Sequence, residues 1–311
     1  MSRILITGGT GFIGTNLTRR LLQQGHEVHL LVRPHYKSWR IKDIKPDLRL
    51  HAVNLEDEES LTQRVDRIKP ERIFHLAVHG AYSYQNNLKE IINTNILGTI
   101  NLLQACIKTG FEVFVNTGSS SEYGYKDYPP SETEWLDPNS YYAISKASGT
   151  LFCRYIAQSQ NLRIPTLRLY SVYGAYEEPT RLMPTLIEQG LKGKLPPLVN
   201  PKIARDYVYI DDIIEAYLLA AMMDTAELGA VFNVGTGIQT TLRDVVEIAC
   251  RVLEIKAKPQ WGSMPDRQWD TTVWVADNRK IQDELGWTPY YSFEEGFQEM
   301  VNWYKQQPVE E

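Results

Sequence analysis

The nine residues from Ile6 to Gly14, ITGGTGFIG, decide the fold, with glycines at positions 8, 9, 11 and 14. The apolar run Arg3 to Thr7 leads into them and predicts a strand. Phe12 to Gln24 carries apolar residues at helical spacing and stops at Gly25, which predicts a helix. A strand, a glycine-rich turn and a helix in this order point the free amides of the first helical turn at one spot. Because glycine has no side chain, the turn is predicted to let a dinucleotide diphosphate contact bare backbone.

Short runs rich in Ile, Val and Leu alternate with longer amphipathic segments through the first 174 residues. This alternation is typical of βαβ units, so we predict an α/β protein with a doubly wound parallel sheet, the Rossmann fold. Further strands are predicted at Glu27 to Val32, Leu48 to Val53, Arg72 to Leu76, Glu112 to Thr117 and Pro165 to Leu169. Further helices are predicted at Leu61 to Ile68, Ile91 to Lys108, Tyr141 to Gln160, Thr185 to Leu191, Leu242 to Leu253, Lys280 to Leu285 and Phe293 to Gln306.

The composition of the sequence changes after Gly174, where prolines become frequent and the predicted helices become shorter. Residues 175–204 and 236–311 are therefore predicted to form a smaller, mixed α/β lobe that binds the substrate. Residues 1–174 form the predicted dinucleotide-binding domain. Arg205 to Ile210 and Val231 to Val234 are strand-like, so we expect residues 205–235 to return to the sheet of that domain.

The composition is that of a soluble globular protein, with 43% hydrophobic and 23% charged residues among 311. The formal charge of -5 and the scattered Lys and Arg residues predict no nucleic-acid partner. Because no apolar run approaches a membrane span and no signal-peptide pattern opens the chain, we expect no membrane contact and a cytoplasmic location. Cys106, Cys153 and Cys250 lie in apolar helical patterns without metal-ligand spacing, so no metal site is predicted.

The end of the second predicted strand bears on the choice of dinucleotide. Sites that prefer NAD place an acid there, about 20 residues past the glycine turn, whereas an Arg accommodates the 2′-phosphate of NADP. This chain has Val32 and Arg33 at that point and no carboxylate. Arg33 is therefore a predicted cofactor-binding residue, and NADP(H) is the favoured cofactor, with NAD(H) as the alternative.

A phenol and an ammonium stand four residues apart in Tyr142-Ala-Ile-Ser-Lys146, so both project from one face of a helix. The cation is expected to lower the pKa of the Tyr142 phenol, which could then exchange a proton with a sugar or alcohol oxygen. Ser119 follows the fifth strand, at the sheet edge where ligands bind in open α/β folds, and can hydrogen-bond the same oxygen. Ser119, Tyr142 and Lys146 are the predicted catalytic residues.

Together these motifs resemble, over nearly the whole chain, the extended short-chain dehydrogenase/reductases that modify nucleotide sugars. The matching motifs are the glycine turn, His75-Leu-Ala77, Asn95-Ile-Leu-Gly-Thr99, Ser119 four before Tyr123-Gly124, Tyr142 with Lys146, Arg168-Leu-Tyr-Ser-Val-Tyr-Gly174, Arg205-Asp206, Asn233-Val-Gly235, Arg267 with Asp270, and Leu285-Gly-Trp-Thr-Pro289. The resemblance implies cofactor contacts at Gly8, Gly11, Phe12, Ile13, Gly14, Asn54, Leu55, Leu76, Ala77, Asn95, Tyr142 and Lys146. It also implies a nucleotide-diphosphate sugar as substrate, bound by Ser120, Ser121, Ser171, Arg205, Arg267 and Asp270.

Departures from the family pattern narrow the activity. Ser120 and Ser121 stand where members that dehydrate the 4,6 positions of a sugar carry Asp and Glu. Because a serine cannot replace a carboxyl group as general acid, a 4,6-dehydratase is disfavoured. Asn54 stands in place of an Asp beside the adenine, and Ser171 in place of an Asn beside the substrate, so cofactor contacts and sugar specificity differ from the family pattern.

Two alternative reactions, each with a hydride transfer at a sugar carbon, remain as hypotheses. The first hypothesis is an NADP(H)-dependent reductase of a nucleotide-linked 4-keto-6-deoxy sugar, because Arg267 to Asn278 is also similar to reductases of the CDP-paratose and CDP-abequose type. The alternative is an NAD-dependent nucleotide-sugar 4-epimerase that uses the same residues. A non-catalytic NADP-binding sensor is a third interpretation, whose mark would be loss of the reacting residues.

The helices Ile91 to Lys108 and Tyr141 to Gln160 carry broader apolar faces than contact with one sheet requires. In the family that the chain resembles, these helices pair across a two-fold axis. A homodimer is therefore expected.

Overall fold

The computed structural model describes residues 1–82, 84–222, 227–264 and 271–307. The strands are β1 (Arg3–Thr7), β2 (Glu27–Val32), β3 (Arg49–Ala52), β4 (Arg72–His75), β5 (Val113–Ser119), β6 (Thr166–Leu169), β7 (Ser171–Tyr173), β8 (Ala204–Arg205), β9 (Tyr207–Tyr209), β10 (Val231–Val234) and β11 (Thr240–Thr241). The helices are α1 (Phe12–Gln23), α2 (Glu58–Ile68), α3 (Leu88–Ile92), α4 (Gly98–Thr109), α5 (Tyr141–Gln160), α6 (Leu182–Gly190), α7 (Ile210–Met222), α8 (Leu242–Val252), α9 (Arg279–Leu285) and α10 (Phe293–Gln306).

The main sheet is seven-stranded and parallel, in the order β3-β2-β1-β4-β5-β6-β10. This arrangement confirms the predicted doubly wound α/β fold. The strand order reverses between β1 and β4, and a crevice opens at the carboxyl ends of strands at such a point. Thr7 and His75 are paired at those ends, so the glycine turn and the loop after β4 border the same crevice.

Apolar cores cover both faces of the sheet because successive side chains of a strand point to opposite faces. Ile4 and Ile6 of β1 pack in the core that contains α1 and α7, whereas Leu5 packs in the core that contains α2, α4 and α5. All three are fully buried. Burial of such a side chain contributes about 1.5–3 kcal/mol, so the β1 strand that leads into the glycine turn is firmly held.

The prediction for residues 205–235 is correct for its last strand and wrong for its first. Val231–Val234 joins the main sheet beside β6 as β10. The segment predicted as a strand from Arg205 to Ile210 does not join that sheet, because its two short strands pair elsewhere. β8 pairs antiparallel with β11, and β9 pairs parallel with β7. Helix α7, which the sequence analysis left unassigned, follows directly and packs against α1 and β5.

Aromatic side chains join the carboxyl-terminal helices to the sheet side of the molecule. The ring of Tyr173 lies 5.1 Å from that of Phe293 and 5.6 Å from that of Tyr209, measured between centroids. The Tyr173 hydroxyl also donates a hydrogen bond to the Phe293 carbonyl oxygen at 3.0 Å. These contacts place α10 beside β7 and β9, next to the segment that follows β6.

Candidate active site

Three glycines give the turn after β1 its shape. Gly8 has φ of +73°, and a Cβ there would lie 2.6 Å from the Leu76 carbonyl carbon and 2.7 Å from the Ala77 nitrogen. A Cβ at Gly14 would overlap the Gly8 carbonyl oxygen. Glycine at these two positions therefore lets the turn close on the β4 strand end and lets α1 close on the turn.

The turn leaves a cradle at the amino terminus of α1. Gly11 caps the helix with extended backbone, no side chain caps it, and its first turn has no acidic residue. A Cβ on Gly11 would meet only the Gly8 carbonyl oxygen, at 3.2 Å. Phe12 and Ile13 open the helix, where backbone N–H groups have no intrahelical partner. This arrangement fits the diphosphate of a dinucleotide, which the N–H groups and the helix dipole would hold.

The ends of the next two strands line the predicted adenosine side. Val32 is 5% exposed, whereas Arg33 after it is exposed to solvent. Asn54 is also exposed. Leu55 is half-buried and packs over Gly98, where a Cβ would lie 2.9 Å from the Leu55 Cβ. The cation at position 33 is thus free of the core and open to a ligand.

The loop after β4 is tied to a π-helical turn, Asn93–Leu97, between α3 and α4. The Asn95 side chain accepts a hydrogen bond from the His79 N–H and donates one to the His79 carbonyl oxygen, both at 2.8 Å. It also donates to Ser145 Oγ on α5 at 2.8 Å. Ala77 N–H donates to Thr7 Oγ1 at 3.1 Å. Leu76 and Ala77 therefore lie beside the glycine turn, and Asn95 fixes the loop after β4 against α5.

The structure brings the three predicted catalytic side chains to one place. Ser119 ends β5 and is 7% exposed, and Lys146 on α5 is 8% exposed. Tyr142, one turn before Lys146, is half-buried and lies against Gly80, whose Cβ would be 3.5 Å from Tyr142 Cδ2. Ser119 is close enough to the Tyr142 phenol to lower its pKa.

The expectation that the Tyr142 phenol has a lowered pKa is wrong. Burial raises the pKa of Tyr142, and the Glu122 carboxylate adds to that rise, while Ser119 and the Arg181 cation oppose it. Lys146 is not among the groups that lower the pKa of Tyr142. Burial lowers the pKa of Lys146 itself, with Glu122 acting in the opposite direction. For Tyr142, desolvation therefore outweighs the combined effect of Ser119 and Arg181.

An open cleft lies beside Ser120, the residue after Ser119, on the predicted substrate side. Ser120, Tyr170 and Trp274 are among the residues that line it. The Trp274 indole donates a hydrogen bond to Ser120 Oγ at 3.2 Å, and the Arg205 guanidinium carbon lies 5.5 Å from the centre of the Trp274 ring.

Ser121 and Ser171 are both half-buried, Ser121 after the end of β5 and Ser171 at the start of β7. The remaining two predicted substrate residues, Arg267 and Asp270, lie outside the described residues.

Comparison with known proteins fits this geometry. The sequence profile of the NAD dependent epimerase/dehydratase family matches residues 4–235. The chain belongs to this family. The family assignment confirms the resemblance to the extended short-chain dehydrogenase/reductases of the nucleotide-sugar branch, and the chain is accordingly an enzyme.

Two solved structures and one curated relative illustrate the similarity. The UDP-glucose 4-epimerase of Thermotoga maritima, solved with UDP-glucose, is 28% identical, with 97% of this chain and 98% of that chain covered and a TM-score of 0.88. The Thermus thermophilus UDP-glucose 4-epimerase, solved in complex with NAD, is 29% identical, with 98% and 99% covered and a TM-score of 0.85. The curated relative is one trifunctional protein of Arabidopsis thaliana, 26% identical over 98% of this chain. Its three activities are UDP-glucose 4,6-dehydratase, UDP-4-keto-6-deoxy-D-glucose 3,5-epimerase and UDP-4-keto-L-rhamnose reductase. This chain spans 47% of that protein.

Glu122 lies at this site, next to Ser119, and was not among the predicted site residues. Its carboxylate accepts the backbone N–H of Ser119 at 2.8 Å, and the Ser119 side chain accepts the backbone N–H of Ser121 at 3.2 Å. Together these bonds form a capping box around the turn that follows β5. The pattern Ser119-Ser-Ser-Glu122 carries the S-x-x-E signature of such a box, so the signal was present in the sequence.

The structure describes residues 1–82, 84–222, 227–264 and 271–307. Within them, no group of three or more His, Cys, Asp or Glu side chains is placed to hold a metal ion. No helix in those ranges is both long and apolar enough to cross a membrane.

Proposed function

We propose that this enzyme is an NADP(H)-dependent reductase of a nucleotide-linked 4-keto-6-deoxy sugar. The observation that carries the proposal is the exposed Arg33 at the end of β2, beside the buried Val32 and without a carboxylate. An Arg presents a planar fork of donors to a phosphate, whereas an acid at this place would repel the 2′-phosphate. A cofactor that carries this phosphate fits a reduction that consumes NADPH.

Each catalytic side chain would have its own role in the reduction of the keto group. NADPH, when bound, would supply the hydride to the carbonyl carbon. Tyr142 then gives its proton to the oxygen, and Ser119 donates a hydrogen bond to the same oxygen. Because Ser119 Oγ already accepts the Ser121 N–H at 3.2 Å, its own proton is left to donate. Lys146 would hold the cofactor ribose.

The Tyr142 phenol can supply the proton that a reduction needs. Burial raises the pKa of its phenol, so the side chain keeps its proton at neutral pH. A reductase needs this proton for the alkoxide that forms after hydride transfer. An epimerase would use the same side chain in both directions, as a base when the alcohol is oxidised and as an acid when the ketone is reduced.

The proposed sugar site is the cleft lined by Ser120 and Trp274, with Ser171 and Arg205 nearby. The Arg205 guanidinium is proposed to bind the diphosphate, together with Arg267, and Asp270 to lie near the nucleoside ribose. A 4,6-dehydratase receives less support, because Ser120 and Ser121 carry no carboxyl group. The nearby Glu122 is fully buried and faces the core.

A second candidate is an NAD-dependent nucleotide-sugar 4-epimerase with the same three catalytic residues. The observation in its favour is the similarity to UDP-glucose 4-epimerases, one of them solved with NAD. Purified enzyme separates the two candidates. A reductase consumes NADPH stoichiometrically with a nucleotide-linked 4-keto sugar. An epimerase interconverts nucleotide sugars with retained NAD and leaves added NADPH unchanged.

The proposed assembly is a homodimer formed through α5 and the preceding helices. Large apolar side chains are exposed along one side of α5 at helical spacing, with exposed fractions of 47% for Ile144, 57% for Leu151, 43% for Phe152 and 66% for Tyr155. Leu97 adds to them at 45%. An apolar face of this extent is typical of a surface that a second copy covers.

A further inference from the structure

The carboxylate of Glu122 binds three elements at once. Its Oε1 accepts the backbone N–H of Ser119 at 2.8 Å and the hydroxyl of Thr150 at 3.0 Å. Its Oε2 accepts Nε of Arg168 at 2.8 Å. The end of β5, helix α5 and strand β6 therefore meet at one side chain, which is 0% exposed.

The partners of Glu122 are themselves fixed by neighbouring hydrogen bonds. Arg168 donates from Nη1 to the Tyr123 hydroxyl at 2.7 Å, and that hydroxyl donates to Asn233 Oδ1 on β10 at 2.7 Å. A buried carboxylate is tolerated only where its charge is paired and its oxygens accept hydrogen bonds. Both conditions hold here, because Arg168 pairs with the carboxylate and both of its oxygens accept hydrogen bonds.

We propose that Glu122 is a positioning residue of the active site, holding Ser119 in register with the face of α5 that carries Tyr142 and Lys146. Thr150 is the link to that face, because it lies one turn after Lys146 and two turns after Tyr142. The proposal rests on the proposed roles of Ser119 and Tyr142. It does not depend on whether the reaction is a reduction or an epimerisation.

The charge of Glu122 gives the proposal a second consequence. Its carboxylate acts to raise the pKa of both Tyr142 and Lys146. Tyr142 also interacts electrostatically with Arg181 before α6 and with Tyr217 on α7. Lys146 interacts in the same way with Cys153 on α5 and with His75 at the end of β4. Removing the carboxylate charge alone should therefore lower the pH at which Tyr142 ionises.

Two variants separate position from charge. Glu122→Asp keeps the charge but shortens the side chain, so Ser119 and α5 lose their common anchor. We expect its turnover to fall about 10- to 100-fold, since small misplacements of reacting groups are costly. Its pH–rate profile should keep the wild-type position. Glu122→Gln keeps the length but removes the charge, and the limb of its pH–rate profile that reports Tyr142 should move to lower pH.

A double variant covers the case in which Glu122→Gln does not fold. Glu122→Gln with Arg168→Met replaces the buried ion pair by neutral groups, which is tolerated better than breaking it. If the role of Glu122 is only structural, this folded double variant will show wild-type turnover and the wild-type pH profile. The same result for folded Glu122→Asp would equally overturn the proposal.

A measurement without turnover keeps this test apart from the proposed function. Ultraviolet difference titration of each protein against its own Tyr142→Phe counterpart follows phenolate formation at Tyr142. The proposal expects a lower midpoint for Glu122→Gln than for the wild type, and an equal midpoint overturns it. If the wild type does not oxidise NADPH yet the midpoint moves, the reductase proposal fails while the action of the Glu122 charge on Tyr142 stands.

Discussion

The Thr7 hydroxyl oxygen lies 2.7 Å from Nδ1 of His75, at the paired ends of β1 and β4. Thr7 Oγ1 accepts the Ala77 N–H at 3.1 Å, so its own proton goes to Nδ1. Nε2 of the ring then donates to Thr99 Oγ1, 2.8 Å away, and this hydroxyl donates to the Asn95 carbonyl oxygen at 2.7 Å. Each atom of the chain is satisfied only when the imidazole is neutral, with its proton on Nε2.

Acid should therefore destabilise the fold through His75. Burial, with a smaller effect of Lys146, lowers the pKa of His75 from 6.5 to about 3. Between these values the unfolded chain binds a proton that the folded protein does not, so stability falls as pH falls below 6.5 and is unaffected above it. Between about pH 6.5 and about pH 4 the loss amounts to about 3 kcal/mol, measurable by urea unfolding.

The variant His75→Gln isolates this contribution, because glutamine supplies a donor and an acceptor without titrating. His51, whose pKa is lowered to about 4, also destabilises the fold in acid but is present in both proteins. The difference in free energy of unfolding between wild type and variant should therefore shrink as pH falls. A difference that stays constant with pH would show that His75 is not the group responsible.

Replacement of Gly14 should distort the glycine turn that is proposed to bind the cofactor. In Gly14→Ala the new Cβ overlaps the backbone of the turn at Gly8, which cannot give way as a flexible side chain can. We expect a loss of about 1–3 kcal/mol in unfolding free energy and weaker dinucleotide binding. The matched control is Gly149→Ala on α5, whose Cβ meets nothing closer than 3.5 Å and which should gain about 0.5–1 kcal/mol. Equal thermal shifts for the two variants would contradict the argument.

The sheet was predictable from sequence because each of its strands is a short apolar run next to a turn signal. The two helices with the clearest limits, α5 and α10, run over the residues predicted for them. Helix α7 was not predicted, because Ile210 to Met222 is apolar nearly all around and shows no helical period. The pairing of β8 and β9 outside the main sheet depends on contacts with β7 and β11, which are distant in sequence and invisible in a local pattern.

The positions of site residues could be predicted where the spacing within a motif fixes the geometry. Spacing alone placed Tyr142 and Lys146 on one face of a helix, and Ser119 at the sheet edge. The pKa of Tyr142 was not predictable in this way, because its direction depends on desolvation by residues from several elements. The same holds for Glu122, whose partners Thr150 and Arg168 are 28 and 46 residues away along the chain.

Cofactor choice should depend on Arg33. Arg33→Asp places an acid at the end of β2, where it repels a 2′-phosphate and can accept hydrogen bonds from a free ribose hydroxyl. We expect the KM for NADPH to rise about 10- to 100-fold and the KM for NADH to fall, as initial rates at varied cofactor would show. Because Arg33 is exposed, the melting temperature should not change. An unchanged preference for NADPH would place the phosphate contact elsewhere.

Catalysis should be lost with the phenol of Tyr142. Tyr142→Phe removes the proton donor without removing the ring that packs beside Gly80. We expect turnover to fall about 100- to 10,000-fold while cofactor binding, followed by fluorescence titration, stays within a few-fold. The neighbouring Tyr141→Phe is the matched control, since Tyr141 is 59% exposed and should tolerate the change. Full activity in both variants would leave only a cofactor-binding role for this site.

The proposed dimer should separate when a charge is placed on the exposed face of α5. Leu151 is 57% exposed in a single subunit, so Leu151→Arg need not disturb the fold of the subunit itself. A second copy covering this face would bury the new guanidinium in an apolar interface without a partner, which strongly disfavours association. Sedimentation velocity should then give a dimer for the wild type and a monomer for the variant. Ile238→Arg, a change at a residue that is 65% exposed elsewhere on the surface, should remain dimeric. A wild-type monomer, or a Leu151→Arg variant that stays dimeric, would remove α5 from the interface.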